Sequence, residues 1–552
     1  MSTSIPQQQE EGDELEKTWW KEAVVYQIYP RSFFDTNGDG LGDLNGIRAK
    51  LDYLQELGVD MIWLCPVYKS PNVDNGYDVS DYQAIMDEMG TMDDFDRLLE
   101  DIHSRGMKIM MDLVLNHTSD QHPWFLESKS SKDSPKRDWY VWRDHPTNWE
   151  SIFGGPAWTY DPKTRQYYFH LFSKSQVDLN WENPELRRAI YDMILWWLDK
   201  GIDGFRVDAI NHLKKEYTDM PNPEGLNYVP AWEKMTNVQG IQELLAELRR
   251  ETFDRYDVVT VGEANSVRAH EISEWISEEE GKFNMIFHLE AHEEAWDEES
   301  AGVDVDDLRI VLDRWQRSAQ GIAWNSLYLE NHDRPRTVST WGNDREHWRE
   351  SATALGCMYF FMQGTPFIYQ GQEIGMTNAP FDDINMYRDI ETKNMYRYNR
   401  QKGVPHKDLM KTIKKISRDH ARTPMQWNFG ANAGFTGGTP WIPLNPNFNW
   451  LNVKAQQQDP QSVLSFYKKM LKLRKDHEAL VYGSTHLTYL ECPYVYAYTR
   501  EYGEARYLII SHLDDDTCSW WNPVDGELLL SNYDSYVDGK LQPYEARVYL
   551  LN

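Results

Sequence analysis

Cysteine is scarce. The four in 552 residues, Cys65, Cys357, Cys492 and Cys518, lie far apart and show no C-x-x-C spacing. For a chain this long that argues against a disulfide framework and against a zinc ribbon. Positive charge is also short: 57 Lys plus Arg stand against 88 Asp plus Glu, a formal net charge of −31. A surface of that sign repels phosphate backbones and anionic headgroups, so neither a nucleic-acid nor a membrane partner is expected. No stretch approaches the roughly 18 apolar residues of a membrane span. Residues 1–17 have neither the basic start nor the apolar centre of a secretion signal and read as a polar tail. A soluble cytoplasmic protein is the expectation. Apolar and aromatic side chains, in contrast, are plentiful at 41% and 13%, enough for a sizeable core in two or three domains.

A helix, glycine, strand pattern recurs. Ile47, Leu51 and Leu54 follow helical spacing, and Gly58 then precedes the apolar run Val59–Pro66. Phe95, Leu98, Leu99 and Ile102 lead to Gly106 and MKIMMDLVL, and Ile190, Ile194, Trp197 and Leu198 lead to Gly201 and IDGFRV. A glycine after a helix takes the left-handed ending cheaply, and a short apolar run behind it reads as a strand buried on both faces. Alternating helices and buried strands imply a parallel α/β sheet.

Gly58 to Gly106 spans 48 residues but Gly106 to Gly201 spans 95, so about one repeat's length is inserted at residues 118–180. Further apolar strands occur in AVVYQIYP, VVTVG, FNMIFHL, SLYLEN and TPFIYQ, which brings the number to eight. Eight such strands close naturally into a (β/α)8 barrel with its site at the C-terminal strand ends. The expected organisation is a barrel in two parts, residues 18–117 and 181–480, interrupted by a loop-rich insert at 118–180. From about residue 481 the chain alternates apolar and polar positions between turn residues, which predicts a C-terminal antiparallel β domain at 481–552.

Asp208 ends GFRVD, Glu263 ends VVTVGE and Asp333 follows SLYLENH. One such carboxylate would be an ordinary helix cap. Three in successive repeats, with His117 and His332 in matching positions, are hard to explain by capping, and two carboxylates across one bond are what glycoside hydrolysis requires.

DLVLNH (112–117), GFRVDAINH (204–212), VGEAN (261–265) and ENHDRPR (330–336) resemble, in order, the four signature regions of the α-amylase superfamily, glycoside hydrolase family 13. QVDLN (176–180), GVDMIWLCPVYKSP (58–71), GTPFIYQGQEIGMTN (364–378) and ARTPMQW (421–427) narrow the resemblance to its bacterial α-glucosidase and oligo-1,6-glucosidase branch. The resemblance implies Asp208 as nucleophile, Glu263 as general acid/base and Asp333 as the third carboxylate. Arg206, on the same strand face as Asp208, is expected to keep that carboxylate ionised. Sugar contacts carry over to Asp74, Tyr77, His117, His332 and Arg422, with Phe153, Phe172 and Gln176 as a wall from the insert or as ordinary loop packing. Residues 376–420 would form a lid over the pocket; a solvated helical pair is the bland alternative.

DTNGDGLGD (35–43) repeats oxygen side chains at alternate positions, Asp35, Asn37, Asp39 and Asp43, with glycine at the sixth. The twelfth position is Gly46 rather than Glu, so the loop is not a full EF-hand. The resemblance implies a structural Ca²⁺ here, or Mg²⁺, with the Leu41 carbonyl as a further ligand, and no organic cofactor. Val177, Arg334 and Asn428 depart from the branch pattern without touching the three carboxylates. Ala209, directly after Asp208, matches relatives that favour α-1,4 over α-1,6 linkages. The implied protein is a retaining, exo-acting α-glucosidase for short oligosaccharides, maltose-type substrates favoured, as a monomer or weak homo-oligomer. Alternatives are an oligo-1,6-glucosidase, a transglycosylating, sucrose- or trehalose-6-phosphate-acting member, and a non-catalytic binding homologue.

Overall fold

The computed structural model describes residues 17–297, 302–537 and 539–552. Residues 1–16 of the expected tail, and the end of the acidic run at residues 290–300, lie outside them. Eight parallel strands follow in chain order: β1 (Val25–Ile28), β2 (Met61–Leu64), β3 (Lys108–Val114), β4 (Gly204–Asp208), β5 (Val259–Glu263), β6 (Met285–Phe287), β7 (Ser326–Leu327) and β8 (Thr365–Tyr369). Their order in the sheet is β6-β5-β4-β3-β2-β1-β8-β7. Ser326 Oγ on β7 donates to the Ile286 carbonyl on β6 at 2.7 Å, across the seam that closes the sheet into a barrel.

Period-2 alternation sorts each strand's side chains into two layers. Met61 and Trp63, Met110, Val259 and Val261, and Met285 and Phe287 fill the barrel interior. Trp63 stacks on Phe287 at 5.3 Å, and Phe287 meets Phe367 edge-on at 4.8 Å. The intervening residues, among them Ile62, Ile109, Met111, Phe205 and Val207, pack outward under the helices. This double burial is why the strands read as continuous apolar runs. Gly58, Gly106 and Gly201 take φ of 101°, 71° and 101°, so the expected left-handed endings are present. The first predicted helix is in fact two, Leu44–Ala49 and Leu51–Leu57, broken at Lys50.

After β3 the chain pairs His117–Ser119 antiparallel with Gln176–Asp178, so the excursion leaves and returns at one neck. Within it lies a three-stranded sheet of Trp142–Arg143, Gln166–Phe169 and Trp158–Asp161. After β8, helices α1 (Ile390–Gln401) and α2 (His406–Ile416) stand over the C-terminal strand ends. The chain ends in a five-stranded antiparallel sheet whose first strand is Ser484–Thr488.

The loop leaving β7 carries Asp333 and is braced from beneath. Arg336, 0% exposed, pairs through Nη1 with Glu330 Oε2 at 2.9 Å and donates to the Gln370 carbonyl at 2.9 Å. Glu330 Oε1 accepts the Thr337 backbone N–H at 2.8 Å. Removing one partner strands a charge in the interior. Arg336→Met is therefore expected to destabilise the protein by about 3–5 kcal/mol, and Glu330→Gln in the same chain to recover part of it. Thermal unfolding of the three variants checks this; an Arg336→Met midpoint equal to wild type would refute the bracing role.

Candidate active site

The alternation that fills the barrel with methyl groups carries it to charge within a single strand. Met110 is followed on the same face by Asp112, Gly204 by Arg206 and Asp208, and Val261 by Glu263. Strand register sets Arg206 beside Asp112 on β3 and beside Val261 on β5. The Arg206 guanidinium, 2% exposed, donates through Nη1 to Asp112 Oδ1 at 2.7 Å and to Asp208 Oδ1 at 2.8 Å. Its Nη2 pairs with Glu263 Oε2 at 2.9 Å. One cation thus serves three carboxylates.

That sharing bears on the Asp208 carboxyl. Burial pushes its carboxyl well above the usual carboxylate range; Arg206 opposes this, but Glu263, Asp112 and Asp333 reinforce it. Burial likewise pushes Asp112 up to about 6, against the same guanidinium. One guanidinium leaves three largely buried carboxylates with excess negative charge, which favours holding a proton within the cluster. Asp112 also accepts from the Tyr77 hydroxyl at 3.0 Å and from Trp63 Nε1 at 3.1 Å. Glu263 Oε2 takes a further bond, the Ala209 backbone N–H at 3.0 Å. Ala209 reaches it because it sits at φ 45°, in the left-handed region, directly after the strand.

Asp333 faces the opposite situation. Arg422 Nη2 donates to its Oδ1 at 2.9 Å, Arg418 Nη1 at 3.0 Å, and His332 Nε2 lies 3.1 Å from Oδ2. Against the burial that would raise it, His332, Arg418, Arg422 and Arg206 hold this carboxyl well below the usual range. Gln27 Nε2 donates to His332 Nδ1 at 2.9 Å, which assigns the ring proton to Nε2, facing Asp333. Burial lowers the His332 pKa to about 3 and the His117 pKa to about 4, so both rings are neutral. His117 Nε2 lies 3.0 Å from the Tyr77 carbonyl, which engages its ring proton.

The rest of the expected sugar contacts gather around these groups. Tyr77 stacks parallel to His332, with ring centroids 5.1 Å apart. Gln176 Nε2 donates to Asp74 Oδ2 at 3.0 Å. Phe172 meets the His117 ring edge-on at 5.3 Å, and Phe153 tilts against Phe172 at 5.4 Å. The insert therefore brings Phe153, Phe172 and Gln176 into one cluster with His117 and Asp74. Arg334, the departure from the branch pattern, lies at the pocket mouth with Asp333 and Arg418.

Sequence reasoning missed Asp112, Arg418, Asp389 and Glu391. Arg418 donates through Nη2 to Asp389 Oδ1 at 2.6 Å, pairs through Nε with Glu391 at 3.1 Å and reaches Asp74 at 3.5 Å. It joins three separate stretches of chain around Asp333. Strand alternation back from Val114 would have found Asp112; nothing in the linear order brings Asp389 and Arg418 to Asp74.

The 35–43 loop lies apart from this cluster and hydrogen-bonds to itself. Asp35 Oδ1 accepts the Asn37 and Gly38 N–H groups at 2.9 and 2.8 Å, and Asp39 Oδ1 accepts Leu41 N–H at 2.8 Å. Asp43 caps the following helix by accepting Gly46 N–H at 2.7 Å. Among the described residues no three His, Cys, Asp or Glu side chains converge as a metal cage. The oxygen-only donors on one short loop do match the chemistry of a hard cation.

The model of the α-amylase catalytic domain matches residues 27–483. The chain is 53% identical to the probable oligo-1,6-glucosidase 3 of Bacillus subtilis (strain 168), over 97% of this chain and 100% of that one. It is 50% identical to the oligo-1,6-glucosidase of Parageobacillus thermoglucosidasius, over 97% and 99%. The crystal structure of the isomaltulose synthase from Protaminobacter rubrum superposes with a TM-score of 0.93 at 41% identity, covering 97% of this chain and 100% of that one. Catalytic-domain match, near-complete coverage and barrel architecture agree: the chain is a glycoside hydrolase of the α-amylase family, in its bacterial α-glucosidase and oligo-1,6-glucosidase branch.

Proposed function

We propose that the protein is a retaining, exo-acting α-glucosidase that releases glucose from the non-reducing end of short α-glucosides. The observation that supports this most directly is the single Arg206 guanidinium bridging Asp208 and Glu263. Such a bridge suits the close carboxyl pair, roughly 5–5.5 Å apart, of a retaining mechanism. Asp208 attacks C1 of the bound glucosyl unit through Oδ2, the oxygen not held by Arg206. Glu263 delivers its proton to the glycosidic oxygen as the C1–O bond breaks, and the aglycone leaves as an alcohol. The ionised Glu263 then takes a proton from water, whose oxygen attacks C1 and releases Asp208. Two inversions give net retention. The ionised Asp333 stabilises the positive charge that develops at C1. Asp74, His117, His332, Arg422 and Tyr77 bind the glucosyl unit, while Phe153, Phe172 and Gln176 line it from the insert. Helices α1 and α2 act as the lid, which favours short substrates.

On linkage, Ala209 supports maltose and malto-oligosaccharides, because a small side chain beside the nucleophile leaves room for the α-1,4 aglycone. A second reading, isomaltose, is favoured by the relatives at 53% and 50% identity, both named oligo-1,6-glucosidases. We further propose a structural Ca²⁺, or Mg²⁺, at Asp35, Asn37, Asp39, Asp43 and the Leu41 carbonyl. Among the described residues no helix is long and apolar enough to cross a membrane. A cytoplasmic monomer or weak homo-oligomer is the corresponding proposal.

Initial rates of glucose release from maltose and isomaltose, with Asp208→Asn as the blank, test the linkage. Maltose is expected to be faster by about tenfold, within the range one side-chain-sized change commands. Faster isomaltose cleavage would replace the Ala209 argument with the second reading. Asp208→Asn itself is expected to lose roughly 10⁴-fold in kcat. Glu263→Gln should lose far more kcat/KM on maltose than on an aryl α-glucoside whose leaving group needs no proton. Equal losses on both would remove Glu263 from the acid role. Addition of Ca²⁺ to chelator-treated protein is expected to raise the melting temperature by a few degrees, and Asp39→Ala to abolish that rise. No shift on addition would dismiss the metal.

A further inference from the structure

A second groove adjoins the pocket mouth. Glu391 and Met395, on and beside the first turn of α1, line the mouth together with Asp333 and Arg418. The same two residues line a second groove of about 290 Å³, bounded by Glu150, Phe153, Trp232 and Tyr398. Phe153 ties the two together, since its ring also lies 5.1 Å beneath the Arg418 guanidinium.

Three stretches of chain build the rim, and each is fastened. Glu150 N–H donates to the Val229 carbonyl at 2.9 Å, which holds the insert against the segment leading to Trp232. Asn394 Nδ2 on α1 donates to the Phe153 carbonyl at 3.2 Å. Gly155, at φ 80°, lets Tyr398 approach so closely that a Cβ there would stand 2.5 Å from its hydroxyl. The groove is therefore a formed feature of the molecule.

Trp232 is the unexplained residue in it. Its side chain is 47% exposed, and among the described residues its ring stacks on no other ring and lies under no cation. Trp450, also exposed, packs edge-on against Trp348 at 5.1 Å. An indole left open to water on a groove adjoining the proposed sugar pocket offers the flat apolar face that the C–H side of a pyranose covers. Glu150 and Glu391 beside it supply carboxylate acceptors for hydroxyl groups.

We propose that this groove binds the third glucosyl unit of a linear α-glucoside, stacked on Trp232, while the first unit occupies the catalytic pocket and the second the mouth. The proposal rests on the exo-glucosidase reading above. It implies that trisaccharides are better substrates than the corresponding disaccharides.

The test is the ratio of kcat/KM for maltotriose over maltose, and for isomaltotriose over isomaltose. Wild type should favour the trisaccharide in the series it cleaves. Trp232→Ala should lower that ratio about tenfold, the size expected from losing one sugar face buried on an indole. Trp232→Phe should keep most of the ratio, and Trp521→Ala, 80% exposed in the C-terminal domain, should leave it as in wild type. A wild-type ratio in Trp232→Ala overturns the proposal, as does a wild-type enzyme that cleaves disaccharides with no gain from a third unit. Cleavage of none of the four sugars would instead bring down the exo-glucosidase reading, and the subsite with it.

Discussion

The site depends on one buried cation being too few. Arg206 stands at the centre of Asp112, Asp208 and Glu263, and its two terminal nitrogens reach all three. Two further cations would neutralise the cluster and empty it of protons. With none, the pocket would expel its charge by protonating throughout. A single shared guanidinium leaves the carboxylates paired, oriented and short of positive charge, the condition in which a proton is held where it can be passed. The barrel makes the arrangement rigid, because each group projects from a strand whose neighbours are fixed by register.

Asp333 is treated differently. Arg418, Arg422 and His332 surround it with donors, so it remains an anion while its neighbours compete for protons. Two environments a few side chains apart thus shift like residues in opposite directions, the kind of difference between carboxylates that glycoside hydrolysis uses. Arg418 extends this logic outward. By holding Asp389 and Glu391 as well, it couples the charge around Asp333 to the position of the helices over the pocket.

How much of this was legible from the residues differs from group to group. The barrel strands were, because burial on both faces writes an unbroken apolar run, and glycine after each helix marks where the run begins. Asp208, Glu263 and Asp333 were visible as carboxylates at the ends of those runs. The sharing of Arg206 was not: its place two residues from Asp208 suggested a private partner, and only the adjacent strands bring Asp112 and Glu263 to the same guanidinium. The same applies to Arg418, whose four carboxylate contacts come from residues 74, 333, 389 and 391.

The linear chain by itself determined the periodicities, and through them which side chains face the barrel interior, where the strands end, and which residues stand at those ends. That information is local, set by alternation at two residues and helical spacing at 3.6. Tertiary structure alone decided how many carboxylates one guanidinium must serve, which imidazole nitrogen carries its proton, and that an insert, a short segment near Trp232 and a helix some 240 residues further along than Phe153 meet in one groove. Those outcomes depend on distance and exclusion of water between residues remote in the chain, and electrostatic energy is fixed by those two quantities rather than by order along the backbone.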